Sequence, residues 1–195
     1  MAHPKNATAA AKRKLFFFNL ATLDGFFADS AGGIDWHVAD KEFGEFANEQ
    51  TAAKQVLLFG RVTYQLMASY WPTAAAIKSD PVVARYMNEM PKLVFSRTLK
   101  QADWSNTRFV KRDAALEVAA LKRQPGNDLI IFASANLAAT LTQHGLIDEY
   151  RVMVNPLVLG RGRPLFEEVR SRLSLKLLNA RVFLSGNVLL TYQPK

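Results

Sequence analysis

The sequence predicts a single α/β domain with an antiparallel C-terminal end. Short β-branched and aromatic runs alternate with segments of helical period, the pattern of strands joined by helices. Leu173–Leu184 and Val188–Tyr192 alternate apolar and polar residues around Ser185-Gly186-Asn187, which marks a hairpin. The length of 195 residues, 49% of them apolar, suits one domain able to bury roughly 70% of its unfolded surface.

Each element follows from local pattern. Lys14–Leu20 reads as a buried first strand, followed by a Gly-, Asp- and Ala-rich loop to Trp36. Ala39 to Thr51 reads as a helix, because Ala39, Phe43, Phe46 and Ala47 share one face. Gln55–Phe59 is a second strand stopped by Gly60, Val62–Ser69 a short helix, and Pro72 closes that region. Pro81–Glu89 forms a helix with proline at its first position, where a missing N–H costs nothing. Lys92–Ser96 and Thr107–Lys111 are the next strands, and Asp113 caps a helix to Lys122. After the turn Pro125-Gly126-Asn127, Asp128–Ala133 is the most hydrophobic strand. Ser134 caps a helix to His144, and Gly145 ends it in the left-handed position. Ile147–Val154 is a further strand, and Pro156 and Gly160-Arg161-Gly162-Arg163-Pro164 form a loop before the hairpin.

Composition removes several function classes. Cysteine is absent, which excludes a disulfide scaffold, a thiol nucleophile and a thiolate zinc site. His3, His37 and His144 lie far apart without ligand spacing, so no metal site is expected. The 25 basic and 17 acidic residues leave a net charge of +8. Half of that excess comes from Lys5, Lys12, Arg13 and Lys14, all before the first acid, Asp24. Residues 1–13 read as a flexible basic leader and 14–195 as the folded domain. The other basic residues are dispersed and form no nucleic-acid-binding motif, which argues against a nucleic-acid partner. No run approaches the ~18 apolar residues of a membrane span. The apolar stretch Leu15–Leu23 is broken by Asn19 and Thr22 and lacks a cleavage pattern, so a cytoplasmic protein is expected.

Three strand-to-loop junctions carry the chemistry. Val56–Phe59 runs into Gly60-Arg61-Val62-Thr63, where a helix start and an arginine would bind an anion or simply make a turn. Val94-Phe95 runs into Ser96-Arg97-Thr98, in which Ser96 either meets a ligand or begins a turn. Ile130–Phe132 runs into Ala133-Ser134-Ala135-Asn136-Leu137, whose small residues admit a phosphate and whose Ser134 also suits a plain helix cap. Ligands of open α/β sheets sit outside the carboxyl ends of strands, so three such junctions reinforce one another. No G-x-G-x-x-G, Walker loop or G-x-S-x-G is present, so the ordinary Rossmann fingerprint is absent and the P-loop and serine-hydrolase readings are disfavoured.

The ordered set resembles the dihydrofolate-reductase-like superfamily, and more closely the stand-alone relatives of the reductase domain of bacterial riboflavin biosynthesis. The resemblance spans Lys14 to Tyr192. It rests on Leu23-Asp24-Gly25, Gly60-Arg61-x-Thr63-Tyr64, Phe95-Ser96-Arg97-Thr98-Leu99 and Phe132–Leu137, then Leu146–Arg151 and Pro156-x-x-Leu159-Gly160-x-Gly162-x-x-Leu165-Phe166. It implies a three-layer fold with a mixed sheet of about eight to nine strands flanked by helices, an NADPH cofactor and a homodimer. The implied activity resembles 5-amino-6-(5-phosphoribosylamino)uracil reductase, with hydride passing to a heterocycle or its ribosyl adduct. The alternatives are dihydrofolate-reductase-type activity and a non-catalytic NADPH- or nucleotide-binding protein. Residue by residue, Gly60, Arg61, Thr63, Ser96, Arg97 and Thr98 would hold the adenosine ribose and 2′-phosphate. Ala133, Ser134, Ala135, Asn136 and Leu137 would receive the pyrophosphate, and Leu20 and Ala21 would flank the nicotinamide. Ala133 stands where many relatives carry glycine.

On the substrate side, Asp24 is the first candidate acid, or an ordinary Asp-Gly turn. Asp40 and Trp36 would line the pocket, or serve as a helix-start acid and a core tryptophan. Arg161 and Arg163 would bind a substrate phosphate, or form a solvated basic loop. His37 is a further candidate for proton transfer. Glu149 either pairs with Arg151 or approaches the ligand.

Overall fold

The computed structural model describes residues 12–195; residues 1–11, most of the expected leader, lie outside the described residues. Arg13, assigned above to that leader, is buried, donates from Nε to the Asn127 carbonyl and packs over Gly126.

In chain order the elements are β1 (Leu15–Thr22), β2 (Phe26–Ala28), α1 (Lys41–Thr51), β3 (Val56–Gly60), α2 (Arg61–Tyr70), α3 (Ala74–Ser79), α4 (Pro81–Glu89) and β4 (Lys92–Phe95). There follow β5 (Thr107–Val110), α5 (Ala114–Lys122), β6 (Leu129–Phe132), α6 (Ala135–Gln143), β7 (Glu149–Asn155), β8 (Arg163–Pro164), β9 (Leu175–Val182) and β10 (Val188–Pro194). Eight strands form one sheet in the order β5-β4-β3-β6-β1-β7-β10-β9, matching the expected mixed sheet. The first six are parallel, and β10 runs antiparallel to both its neighbours. The near-continuous apolar runs of β1 and β6 are explained by this position, since parallel strands covered on both faces have no solvent side.

Side chains alternate between the two faces of the sheet. Leu58 and Ile131 point into the core formed with α5 and α6, alongside Val118 and Leu141. Leu57, Phe59 and Ile130 point the other way, onto Tyr64 of α2 and Tyr86 and Met87 of α4. Phe46 of α1 closes a third cluster against Phe183 and Leu189 of the hairpin region. Leu129, Ile130 and Ile131 are each no more than 2% exposed. Burial of side chains this size stabilises by about 1.5–3 kcal/mol each.

Lys92 is the exception within this core. It is only 1% exposed, and its ammonium donates to the carbonyls of Asn88 (3.0 Å), Met90 (2.8 Å) and Ser105 (3.1 Å). It also lies 4.5 Å from the Trp104 ring centroid. Burial pushes its pKa down to about 8.

Some elements escape local pattern. α3 is capped by Thr73, whose hydroxyl accepts from the Ala76 N–H (3.2 Å), although Pro72 reads as the end of the region. β2 and β8 pair antiparallel across 135 residues of chain and are too short to carry a period of two. Their close approach needs glycine at 162, where a side chain would run into the Ala28 carbonyl. Among the described residues no helix is long and apolar enough to cross a membrane.

Candidate functional site

The site begins where β6 stops. The β1–β6 register ends at Phe18↔Phe132, with one last bond from the Ala133 N–H to the Phe18 carbonyl (3.0 Å). The chain then turns into α6 through two successive left-handed residues, Ala133 (φ 51°) and Ser134 (φ 48°). Beyond Phe18, β1 keeps β7 on one side, with Leu20↔Met153 and Thr22↔Asn155, and among the described residues pairs with no strand on the other. Three adjoining cavities open along this gap.

The central cavity, about 470 Å³, is walled by Asn19, Leu20, Gly33, Thr63, Ala133 and Arg163, among others. Asn19 is 5% exposed; its Oδ1 accepts from the Leu20 N–H (2.9 Å), while its Nδ2 is buried without a partner among the described residues. On one side lies a cavity of about 320 Å³ lined by Ala135, Asn136, Arg163, Glu167 and Glu168, which shares Phe27 and Arg163 with the central one. Here the sequence-predicted cap is corrected. The Ser134 hydroxyl accepts from the Gly60 N–H (3.1 Å) and makes no cap bond, so the first N–H groups of α6 have no side-chain cap among the described residues. An uncapped helix start beside an arginine suits an anion, although Glu167 and Glu168 line the same cavity.

On the other side lies a cavity of about 390 Å³, which shares Phe18, Leu20, Ile34, Met67 and Phe132 with the central one. Its walls include Phe43, Phe46, Tyr70, Trp71 and His37. His37 Nδ1 lies 2.7 Å from Asn155 Oδ1. The Asn155 amide is fixed, because its Nδ2 donates to the carbonyls of Ala21 (3.1 Å) and Met153 (3.1 Å). Oδ1 must therefore accept, Nδ1 carries the proton, and the lone pair of neutral His37 sits on Nε2. That nitrogen is buried without a partner among the described residues, and burial holds the imidazole below its ordinary pKa.

The structure separates the predicted cofactor residues into three groups. Leu20, Thr63, Ala133, Ala135 and Asn136 line the cavities. Arg61, Arg97 and Thr98 are exposed on the same edge of the sheet, where the register Gly60↔Phe95 sets the two turns side by side. Arg61 bonds to Gln65 (3.0 Å). The remaining residues serve the scaffold. The Gly60 N–H is taken by Ser134, and the Ser96 hydroxyl builds its own turn by accepting from the N–H groups of Thr98 (3.2 Å) and Leu99 (3.1 Å). Ala21 and Leu137 are buried in the core.

Both predicted acids are likewise committed. Asp24 is exposed, and its carboxylate accepts from Thr22 Oγ1 (2.6 Å) and from the N–H groups of Leu159 (3.2 Å) and Gly160 (2.8 Å). These bonds, the Thr22 hydroxyl foremost, lower its pKa, which suits a loop clamp and not a proton donor. Asp40 caps α1 by accepting from the Phe43 N–H (2.8 Å). Trp36 is half-buried with an unpartnered indole N–H, and its neighbour His37 takes the place on the wall expected of it. Arg163 lines the central and α6 cavities instead of the aromatic one, and Arg161 is exposed. Glu149 pairs with Arg151 (2.6 Å). Asn19 and Asn155 had no local signal, since each acquires its role only where β1 meets its neighbours. Among the described residues no group of three or more His, Asp or Glu is placed to hold a metal ion.

Comparison with known proteins agrees with this architecture. YyaP, an uncharacterized protein of Bacillus subtilis (strain 168), is 34% identical over 184 residues, covering 93% of this chain and 95% of the relative. A Shewanella sp. PV-4 protein provisionally assigned to riboflavin biosynthesis superposes with a TM-score of 0.70 at 25% identity, covering 93% of this chain and 99% of that one. Dihydrofolate reductase from Enterococcus faecalis, solved with NADP(H) and RAB-propyl, shares the fold with a TM-score of 0.64 at 15% identity, covering 93% and 96%. The family described as the RibD C-terminal domain matches residues 13–189. The chain therefore belongs to the RibD C-terminal domain family and has its dihydrofolate-reductase-like fold.

Proposed function

We propose that this protein is an NADPH-dependent reductase acting on a heterocyclic substrate, and that it works as a homodimer. The observation that carries the reading is the line of three adjoining cavities along the open edge of β1. The polar end has the uncapped start of α6 and Arg163, and the far end is aromatic. When bound, NADPH supplies the hydride. The residues present fit it. The α6 N–H groups, Asn136 and Arg163 would take the pyrophosphate, while Arg61, Thr63, Arg97 and Thr98 would take the adenosine ribose and 2′-phosphate. Leu20 and the unpaired edge of β1 would face the nicotinamide, with the Asn19 amide as a buried donor on the same wall. His37, held neutral and oriented by Asn155, offers a hydrogen-bond acceptor on the substrate side. Exposed Leu177, Leu178 and Val182 on the edge strand β9 support pairing of two chains. Folate-type recognition has less support, because Asp40 is engaged as a helix cap.

Titration with NADPH and NADH, followed by protein fluorescence, tests this. Wild-type protein should prefer NADPH. Arg61→Ala and Arg97→Ala should each weaken NADPH by about tenfold or more, the effect of losing a charge-assisted hydrogen bond, and weaken NADH much less. Absence of binding at millimolar NADPH overturns the proposal, and equal losses for both cofactors overturn the 2′-phosphate assignment.

A further inference from the structure

We infer that the aromatic cavity takes an uncharged, flat and largely apolar ring system, and that a substrate carrying a phosphate or carboxylate does not place that group in it. The inference rests on the reductase reading for its substrate role and narrows it.

The protein carries 25 lysines and arginines, yet among the described residues none lines this cavity. Arg163, predicted from sequence to hold a substrate phosphate, lines the other two cavities. Two cations stand behind wall residues: Arg151 donates to Gln50 Oε1 (2.8 Å), and Arg181 lies over the Phe46 ring at 5.8 Å and pairs with Glu49 (2.8 Å). Arg151 is already paired with Glu149 (2.6 Å) and stacked on Phe16 at 4.4 Å.

The groups that do line the cavity reject an anion. Asp80 contributes a carboxylate, which caps α4 by accepting from the Val83 N–H (3.1 Å). Burial keeps the imidazole of His37 and the phenol of Tyr86 in their neutral forms. A phosphate or carboxylate entering here would lose its water, gain no cation and face Asp80, an uncompensated desolvation. A neutral ring meets the reverse situation. Phe43, Tyr70, Trp71 and Phe132 offer ring faces and edges, and Met67 an adaptable thioether. At about 390 Å³ the space matches a small-molecule pocket.

A matched dye pair tests this on the full chain without cofactor. N-phenyl-1-naphthylamine is neutral, and 8-anilinonaphthalene-1-sulfonate carries the same rings with an anionic group. The net charge of +8 favours the anion overall, so a preference for the neutral dye is a demanding result. The neutral dye should bind at least about tenfold more tightly. Gln50→Lys on the cavity wall should narrow or reverse that ratio, and Ala47→Trp should fill the space and abolish neutral-dye binding. Equal or tighter binding of the sulfonate by the wild type overturns the inference, as does neutral-dye binding that neither variant alters. Should Ala47→Trp fail to fold, Gln50→Lys alone still decides. Failure of the dye test with NADPH binding intact removes only this inference. Failure of NADPH binding removes the reductase reading and leaves the pocket's chemistry standing.

Discussion

Ala133→Gly is expected to stabilise this protein, while Ala135→Gly, two residues later, is expected to weaken it. Ala133 has φ 51°, a conformation in which the β-carbon crowds the following carbonyl. For an L-residue that costs roughly 1–2 kcal/mol, whereas glycine adopts it freely. Against this, glycine adds freedom to the unfolded chain, worth roughly 0.4–1 kcal/mol. The net gain is about 0.5–1 kcal/mol, which raises Tm by roughly 1–4 °C in a chain of this size. Ala135 is already helical and 7% exposed, so glycine there loses both propensity and a buried methyl group. Those losses come to roughly 1–2 kcal/mol and lower Tm by about 2–8 °C. Differential scanning calorimetry of the wild type and both variants reads the contrast directly. Equal falls in Tm for both variants would refute the claim that the β6–α6 turn is strained at Ala133. Ala133 also lines the central cavity, so under the proposed function Ala133→Gly should bind NADPH no more weakly than the wild type.

Two other residues give predictions of different kinds. Asp24→Asn should release the loop at 159–160 from the end of β1 and increase its cleavage in limited proteolysis, while leaving NADPH affinity unchanged. Because the folded-state pKa of Asp24 is depressed, the clamp is complete above the ordinary carboxylate range and is lost as pH falls through the lowered value; protection of the Leu159 and Gly160 amides, relative to intrinsic exchange at each pH, should fall only there. A loop equally protected in Asp24→Asn would show that the clamp does not hold it. Lys92→Met should destabilise by about 2–4 kcal/mol in urea unfolding, since three carbonyls lose their donor in a buried setting. For Lys92 the folded pKa, about 8, lies below the unfolded value of 10.5, so the unfolded chain holds more protons between them. Wild-type stability relative to Lys92→Met should therefore rise with pH through that window, and a flat difference would contradict the depressed pKa.

The central strands were legible in the sequence because their physics is local. A run such as Leu129–Phe132 has no polar face to give to solvent, and a cap such as Asp113 acts on an N–H three residues away. Helix α4 matched its expected bounds for that reason, with proline at its start. What misled was chemistry with two local meanings. Ser134 has the form of a cap, yet its left-handed backbone turns the hydroxyl to Gly60, 74 residues earlier. Asp24 and Asp40 look like available acids and are both occupied by backbone N–H groups.

Composition and spacing determined the domain class, the order of its strands along the chain and the three junctions where β3, β4 and β6 run into loops. Those features depend on neighbours within a few residues, and the side chains there state them directly. Only the tertiary structure decided which of the candidate groups share a site. Inserting β6 between β3 and β1 brings Thr63 to Ala133, and the β1–β7 register brings Asn155 to His37. The β2–β8 ribbon carries Arg163 away from the aromatic cavity to the start of α6. Such pairings are set by packing and register between distant segments, for which no local stretch of sequence carries the information.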